Sequence, residues 1–469
     1  MVSRPAPTMP RGADSYPGAL PMRAGPLATS GVSRRGMFSS LAIRDFRFLW
    51  LSSLAASFAM QMQMVARGWL IYDMTSSPLA LTWVMLSFML PSFLFSLAGG
   101  VIADRMRKKS IMVVSQLLNA AATAVLATIV YAGDVTFWHF IWFGLFNGTV
   151  LSISMPARFS VAPEIVGRER VVNAMALQSS TFNLSRILGP ALAGGLIALF
   201  AAGDTTSMVG VGLVFYVIAG LSLVSVICTG LLHYRGDPTR TARTTVGADV
   251  REGFRFLSKE RVVLGLLLVG LVPMTFGFVP TFLMPAFNAD VIGGGPDDLG
   301  LLMAAMGVGA LCGSLLLARL GDMRGKGRVM FAATYVWAVF LLAFALSESL
   351  AAAMLVGACV GLAGSLMGSL NMSIVQLAVG QEIRGRVMAI MMMSHGLSPL
   401  GLIPISAAAE YVGIEVAILG SAVLLAVSMA LLGALFPELR RIDKGHGREE
   451  TPAGVASDAG QVERGRSTA

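Results

Sequence analysis

The most constraining feature of this chain is where its positive charges stand relative to its apolar stretches. Hydropathy divides it into twelve such stretches, near 46–72, 79–102, 111–131, 136–156, 172–200, 209–232, 262–287, 299–320, 329–348, 350–377, 386–410 and 413–436. A helix needs about 20 apolar residues to cross the hydrocarbon layer of a bilayer. Of the 35 lysines and arginines, all but Arg67 and Arg186 fall in the tails or in alternate loops and their borders. The intervening loops carry acid instead, at Asp73, Asp134, Asp204, Asp290, Asp297, Asp298, Glu348 and Glu415. This is the positive-inside pattern, which fixes the spans and their orientation together. It predicts an all-α protein of the cytoplasmic (inner) membrane with both termini in the cytoplasm.

Composition agrees. The chain is 55% hydrophobic and 13% charged, against about 25% charged residues in a soluble domain. The net charge of +9 needs no nucleic acid partner, because orientation and an anionic inner leaflet account for it. Cys228, Cys312 and Cys359 stand singly inside apolar stretches, with neither metal-ligand spacing nor a disulfide framework. Residues 1–40, rich in Pro, Gly, Ser and Arg, read as a disordered cytoplasmic tail rather than a secretory signal. The alternative is a start at Met37. Residues 438–469 read as a second polar tail. The longest internal loop, 233–261, carries seven basic residues. It is the expected linker between six-helix bundles at 41–232 and 262–437.

The two bundles read as repeats. Asp104 and Asp322 each follow an apolar stretch and precede a basic cluster, and they lie 218 residues apart. Glu164 and Arg168 return at Glu382 and Arg386, again 218 apart. One offset through two separate loops implies duplication. An even number of spans per unit keeps both copies the same way up. Parallel repeats about an axis along the membrane normal are a carrier architecture, with the binding site between the halves.

The segment Gly100-Val-Ile-Ala-Asp104-Arg105-Met-Arg107-Lys108-Lys109 resembles the signature between helices two and three of the major facilitator superfamily, GxLADRxGRKx. It departs at Arg107, where the family has Gly. The second-half copy, Ala318 to Arg328, keeps Asp322 and Gly325 and adds Arg324, but has Ala318 for the leading Gly. The resemblance covers about residues 40–437 and implies twelve transmembrane helices in two parallel six-helix repeats. It also implies rocking alternate access with an inner gate at Asp104. A carboxylate there can accept charge-assisted bonds in one packing of the halves and lose them in the other.

Ser185-Arg186-Ile-Leu-Gly189-Pro190-Ala-Leu-Ala-Gly194-Gly195 resembles the Gly-Pro motif that antiporters of this superfamily carry in their fifth helix. Pro190 removes a backbone donor and can kink the helix, and the glycines admit close neighbours. The run from Val65 to Asp73, and that from Pro163 to Glu169, resemble the branch containing the enterobactin exporter and macrolide efflux proteins. That resemblance implies export of a bulky amphipathic compound such as a drug or siderophore, coupled to inward proton flow. Uptake of a small anionic metabolite, or a non-transporting receptor in the same fold, remain the alternatives.

Charged residues inside a membrane helix are functional candidates by default. Arg186 is expected near the midplane and Arg67 near the outer end of the first helix, whereas His395 lies midway along the eleventh. Gln61, Gln63, Asn183 and Asn371 are the candidate polar substrate contacts, and the 29 methionines suit a pocket of adaptable shape. The fourth helix lacks the membrane-embedded Arg that proton-coupled relatives carry; its first charge is Arg158, at the inner end. No P-loop, HExxH, CxxC or GxSxG occurs, so the chain reads as a non-enzymatic carrier without cofactor, expected to be a monomer, with a small molecule, protons and lipid as its partners.

Overall fold

A computed structural model describes residues 38–167, 169–201, 208–237, 261–321, 323–379, 387, 391 and 401–441, apart from the side chains of 93, 96–101, 103, 104 and 441. The N-terminal tail up to residue 37, most of the linker and the C-terminal tail beyond 441 lie outside the described residues. So do Arg168, Asp322, Glu382, Arg386 and His395.

The first half comprises α1 (Arg44–Thr75), α2 (Pro78–Arg105), α3 (Lys108–Ala132), α4 (Phe137–Val166), α5 (Val171–Phe200) and α6 (Met208–Gly230). The second comprises α7 (Arg261–Ile292), α8 (Pro296–Leu320), α9 (Lys326–Ala345), α10 (Leu350–Ala378), α11 (Gly401–Val412) and α12 (Ile414–Leu435). Within α7, a break at Gly277 and Phe278 separates Arg261–Phe276 from Val279–Phe287. Among the described residues there is no strand.

Helix boundaries follow local chemistry. Ser77 caps α2 by accepting from the Ala80 N–H at 3.1 Å, and Pro78 fills the first position, where no donor is needed. Gly133, at φ 80°, ends α3 in the left-handed region that glycine adopts without a Cβ penalty. Several helices outrun their apolar stretches. α4 continues ten residues past the expected end at 156, through Pro156 and Pro163, to Val166. Hydropathy registers only the hydrocarbon, while the helix carries on into the interface. As a result Glu164 lies in the last turn of α4 and Asp104 in the last turn of α2, rather than in the loops beyond them.

Packing repeats between the halves: α2 lies on α4 as α8 lies on α10, and α3 on α6 as α9 on α12. Between the halves, α5 packs along α8. The chain is thus a twelve-helix bundle of two like-oriented six-helix repeats. Its two ends differ in charge: one holds the basic loops before α3 and α9, and the other holds Asp134, Asp290, Asp297, Asp298 and Glu348.

Candidate functional site: a cavity between the halves

A cavity of about 600 Å³ lies between the halves, lined by α1 to α6 on one side and by α7 and α8 on the other. Its walls are largely apolar. Met60, Met64, Met85, Phe88, Phe282 and Met303 supply much of this surface. Polar groups converge from α1, α3 and α4. Asn147 donates to Asn119 Oδ1 at 2.6 Å, and Gln63 donates to Thr123 Oγ1 at 3.4 Å. Gln116, also in the lining, donates to Ser52 Oγ at 3.2 Å. Ser52 in turn bonds Ser225 and Thr229 of α6, so the polar wall is held by a buried hydroxyl cluster. An apolar pocket with a few convergent polar groups is the usual form of a small-molecule site.

Among the described residues two arginines line the cavity, Arg67 on α1 and Arg158 on α4, and no carboxylate does. At 1.5 Å per residue, Arg67 lies roughly 12 Å from the acidic end of α1 and Arg158 roughly 12 Å from the basic end of α4. The Arg67 guanidinium sits over the Phe88 ring at 5.8 Å. A cation at this depth costs at least about 2.5 kcal/mol, and a cation–π contact returns only part of that. Arg158 is the residue that sequence reasoning left at the helix end. The extra turns of α4 past residue 156 bring it inside the bundle.

The other expected residues divide. Gln61, Gln63 and Arg67 line the cavity. Arg186 lies outside its lining; its backbone carbonyl faces Gly307 of α8, 3.1 Å from where a Cβ would stand. Asn183 donates to the Ser179 carbonyl of its own helix at 3.0 Å. Asn371 is buried against Gly270, and its Oδ1 has no hydrogen-bond partner among the described residues. In the Gly-Pro motif, Gly189 admits Gln61 of α1, and Gly194 admits the Pro296 carbonyl at the start of α8. α5 runs unbroken through Pro190.

At the acidic end, hydrogen bonds tie the halves together. Tyr72 of α1 donates to Asp290 Oδ2 of α7 at 2.5 Å. Thr82 of α2 bonds Ser406 of α11 at 2.5 Å. Glu410 of α11 accepts from the Ser77 hydroxyl and from the Leu79 N–H at the start of α2.

At the basic end, the first half carries a bonded cluster of its own. Lys108, buried at the start of α3, donates to Glu164, and Glu164 also accepts from the Tyr234 hydroxyl. Burial and the bond to the Glu164 carboxylate push the Tyr234 phenol above its ordinary pKa. Arg107 pairs with Asp237 at 3.4 Å on the exposed surface. Asp45 accepts the His233 and Tyr234 N–H groups. Arg105 and Arg324 are exposed. The backbone of Gly100 and Asp104 belongs to α2, while the Asp104 side chain lies outside the described residues. Sequence reasoning missed Tyr234 and the tie that the 233–234 backbone makes to Asp45. The docking of residues 232–237 onto the first half, visible only in three dimensions, joins them to the signature.

Two six-helix repeats around a shared central cavity define a major facilitator transporter, not an enzyme. A family model described as transmembrane secretion effector matches residues 35–461, and the chain belongs to that family. It is 27% identical over 406 residues to the multidrug efflux pump Tap of Mycolicibacterium fortuitum, covering 84% of this chain and 95% of that protein. It is 24% identical to macrolide efflux protein A of Streptococcus pyogenes, over 83% and 95% of the two chains. The enterobactin exporter EntS of Shigella boydii is 25% identical over 52% of this chain and 55% of its own. Among solved structures, an auto-inhibited peptide transporter of the POT family superposes with a TM-score of 0.67 at 14% identity, covering 87% of this chain and 99% of that one. A bacterial homolog of the lysosomal transporter Spinster, in an inward-facing conformation, gives 0.66 at 14% identity over 86% and 98%. These two likenesses speak for the fold alone.

Proposed function

We propose that this chain exports amphipathic small molecules across the cytoplasmic membrane by alternating access, driven by proton antiport. The observation that carries the reading is the cavity itself. It is apolar, rich in methionine, large enough for a drug-sized ligand, and capped by inter-half hydrogen bonds at the acidic end. With the basic end in the cytoplasm, as the charge pattern requires, the cap faces outward and the binding surface is offered to compounds from inside. The named relatives are efflux proteins, which supports export as the direction. Proton coupling rests on the Gly-Pro motif of α5 and on the superfamily's general habit. The inner gate falls to Asp104, Lys108 and Glu164, with Asp322, Glu382 and Arg386 as its second-half copies. A monomer is sufficient, because each chain carries both halves.

The test is accumulation of a panel of fluorescent amphipathic compounds in efflux-deficient cells expressing the chain, with and without a protonophore. Lower accumulation that the protonophore abolishes is the expected result. Asp104→Asn is expected to reduce that flux while the protein still inserts. Unchanged accumulation across the panel, with the protein in the membrane, counts against multidrug export.

A further inference from the structure

We infer that the transported compound is an organic anion, carrying a carboxylate, sulfonate or phosphate on an apolar frame, and that Arg67 and Arg158 bind its charge. This deepens the transport reading and rests on it. Three observations carry it. Both arginines line one cavity, and among the described residues no Asp or Glu lines it with them. Neither arginine has an ion-pair partner among the described residues; Arg67 has only the Phe88 ring. The rest of the described polar lining is uncharged carboxamide and hydroxyl, Gln61, Gln63, Asn119 and Asn147 among it, which can donate to an anion without neutralising the arginines first.

A buried cation is retained only where something pairs with it during the working cycle. Among the described residues the cavity contains no such group, so the ligand is the natural counter-ion. Guanidinium suits this task better than ammonium, because its planar fork binds a carboxylate or phosphate bidentately. The two arginines stand roughly 20 Å apart along the bundle axis, too far to grip one small anionic group together. They mark two stations instead: Arg158 nearer the basic mouth for capture, and Arg67 beneath the acidic-end cap for the occluded state. The methionine and aromatic walls between them accept the apolar frame. A lipophilic cation would meet two like charges with no compensating acid among the described residues, so the cavity disfavours it.

The experiment uses the purified full chain and two dyes that share a xanthene frame, anionic fluorescein and cationic rhodamine 123. Binding is read by fluorescence anisotropy. Saturable fluorescein binding is expected, tighter than that of rhodamine 123. Because the stations are separate, the double variant Arg67→Gln/Arg158→Gln should weaken fluorescein binding about tenfold or more, the scale of a lost charged hydrogen bond, and each single variant should weaken it less. Arg67→Lys should retain more affinity than Arg67→Gln. An arm on the unaltered protein guards against variants that fail to fold: naphthoate should displace fluorescein, and its uncharged methyl ester should not. Tighter binding of rhodamine 123, no binding of fluorescein, or equal displacement by acid and ester would each overturn the proposal. Dye movement into inside-out vesicles is then scored separately. Fluorescein binding without movement counts against export and leaves the anion site standing, whereas rhodamine movement without fluorescein binding does the reverse.

Discussion

The Tyr72 hydroxyl lies 2.5 Å from Asp290 Oδ2, and the two residues are 218 positions apart. The same interval separates Lys108 from Lys326, the buried lysines that open α3 and α9. Tyr72 and Asp290 are therefore counterparts in the two repeats, and their bond crosses the axis that relates the halves. A contact placed there exists only while the acidic ends are together.

Removing it should bias the two packings. Asp290 is exposed, so the bond is worth about 1 kcal/mol, below the range of a shielded charged hydrogen bond. Tyr72→Phe should then shift the population toward opening at the acidic end about fivefold. Spin labels at positions 134 and 348, on loops of opposite halves, read the distance. Adding Glu410→Gln, which weakens the tie to the start of α2, should shift it further. Identical distance distributions in all three proteins would remove this contact from the gate.

Lys108 and Arg107 are neighbours with opposite expectations. Lys108 is buried and pairs with Glu164. Arg107 and Asp237 are both exposed, and such pairs contribute about 0–1 kcal/mol. Glu164→Gln leaves a buried ammonium poorly compensated and should lower the midpoint of thermal unfolding in detergent by several degrees. Asp237→Asn should leave it nearly unchanged. Equal effects would mean that the buried pair is not the structural tie at the basic end.

The Tyr234 phenol titrates above its ordinary value, through burial first and then through its bond to Glu164. A group whose folded pKa is raised lends stability that is complete below its unfolded pKa, about 10, and lost as pH rises through the folded value. The Glu164–Tyr234 bond therefore persists throughout the physiological range and fails only in strong alkali. In an ultraviolet titration of the seven tyrosines, Tyr234→Phe should delete a late-ionising phenol. Loss of an early one would contradict the bond.

Much of the architecture was legible in the sequence because the bilayer imposes it. Span length, charge asymmetry and the 218-residue offset are all consequences of a two-dimensional solvent and a duplicated unit. The cavity was legible only in part. Gln61, Gln63 and Arg67 stood out as polar groups in an apolar helix, and they do line it. Arg158 did not, because hydropathy ends the fourth span at 156 while the helix runs on to Val166. Arg186, equally polar in sequence, sits on a face of α5 outside the cavity lining, and helix rotation is set by packing that one sequence does not disclose. Tyr234 lay hidden because its partner is 70 residues away and its segment looked like linker.

The seam between the halves makes the last prediction. α5 and α8 meet backbone to backbone: a Cβ on Gly300 would lie 2.5 Å from the Pro190 carbonyl oxygen, and one on Gly194 would lie 2.2 Å from that of Pro296. Neither neighbour is a side chain that can swing away, so a methyl group at either place must push the helices apart. Overpacking of this kind costs about 1–3 kcal/mol. Gly300→Ala should therefore reduce flux by about tenfold or more and lower the unfolding midpoint. Gly195 sits one residue from Gly194 with nothing within 4 Å of its would-be Cβ. Gly195→Ala removes a glycine from the same motif and should leave both readouts at wild-type levels, because there the motif's glycine meets no neighbouring helix. If Gly195→Ala proved as damaging as Gly300→Ala, backbone flexibility of α5 rather than close packing on α8 would be what the motif supplies.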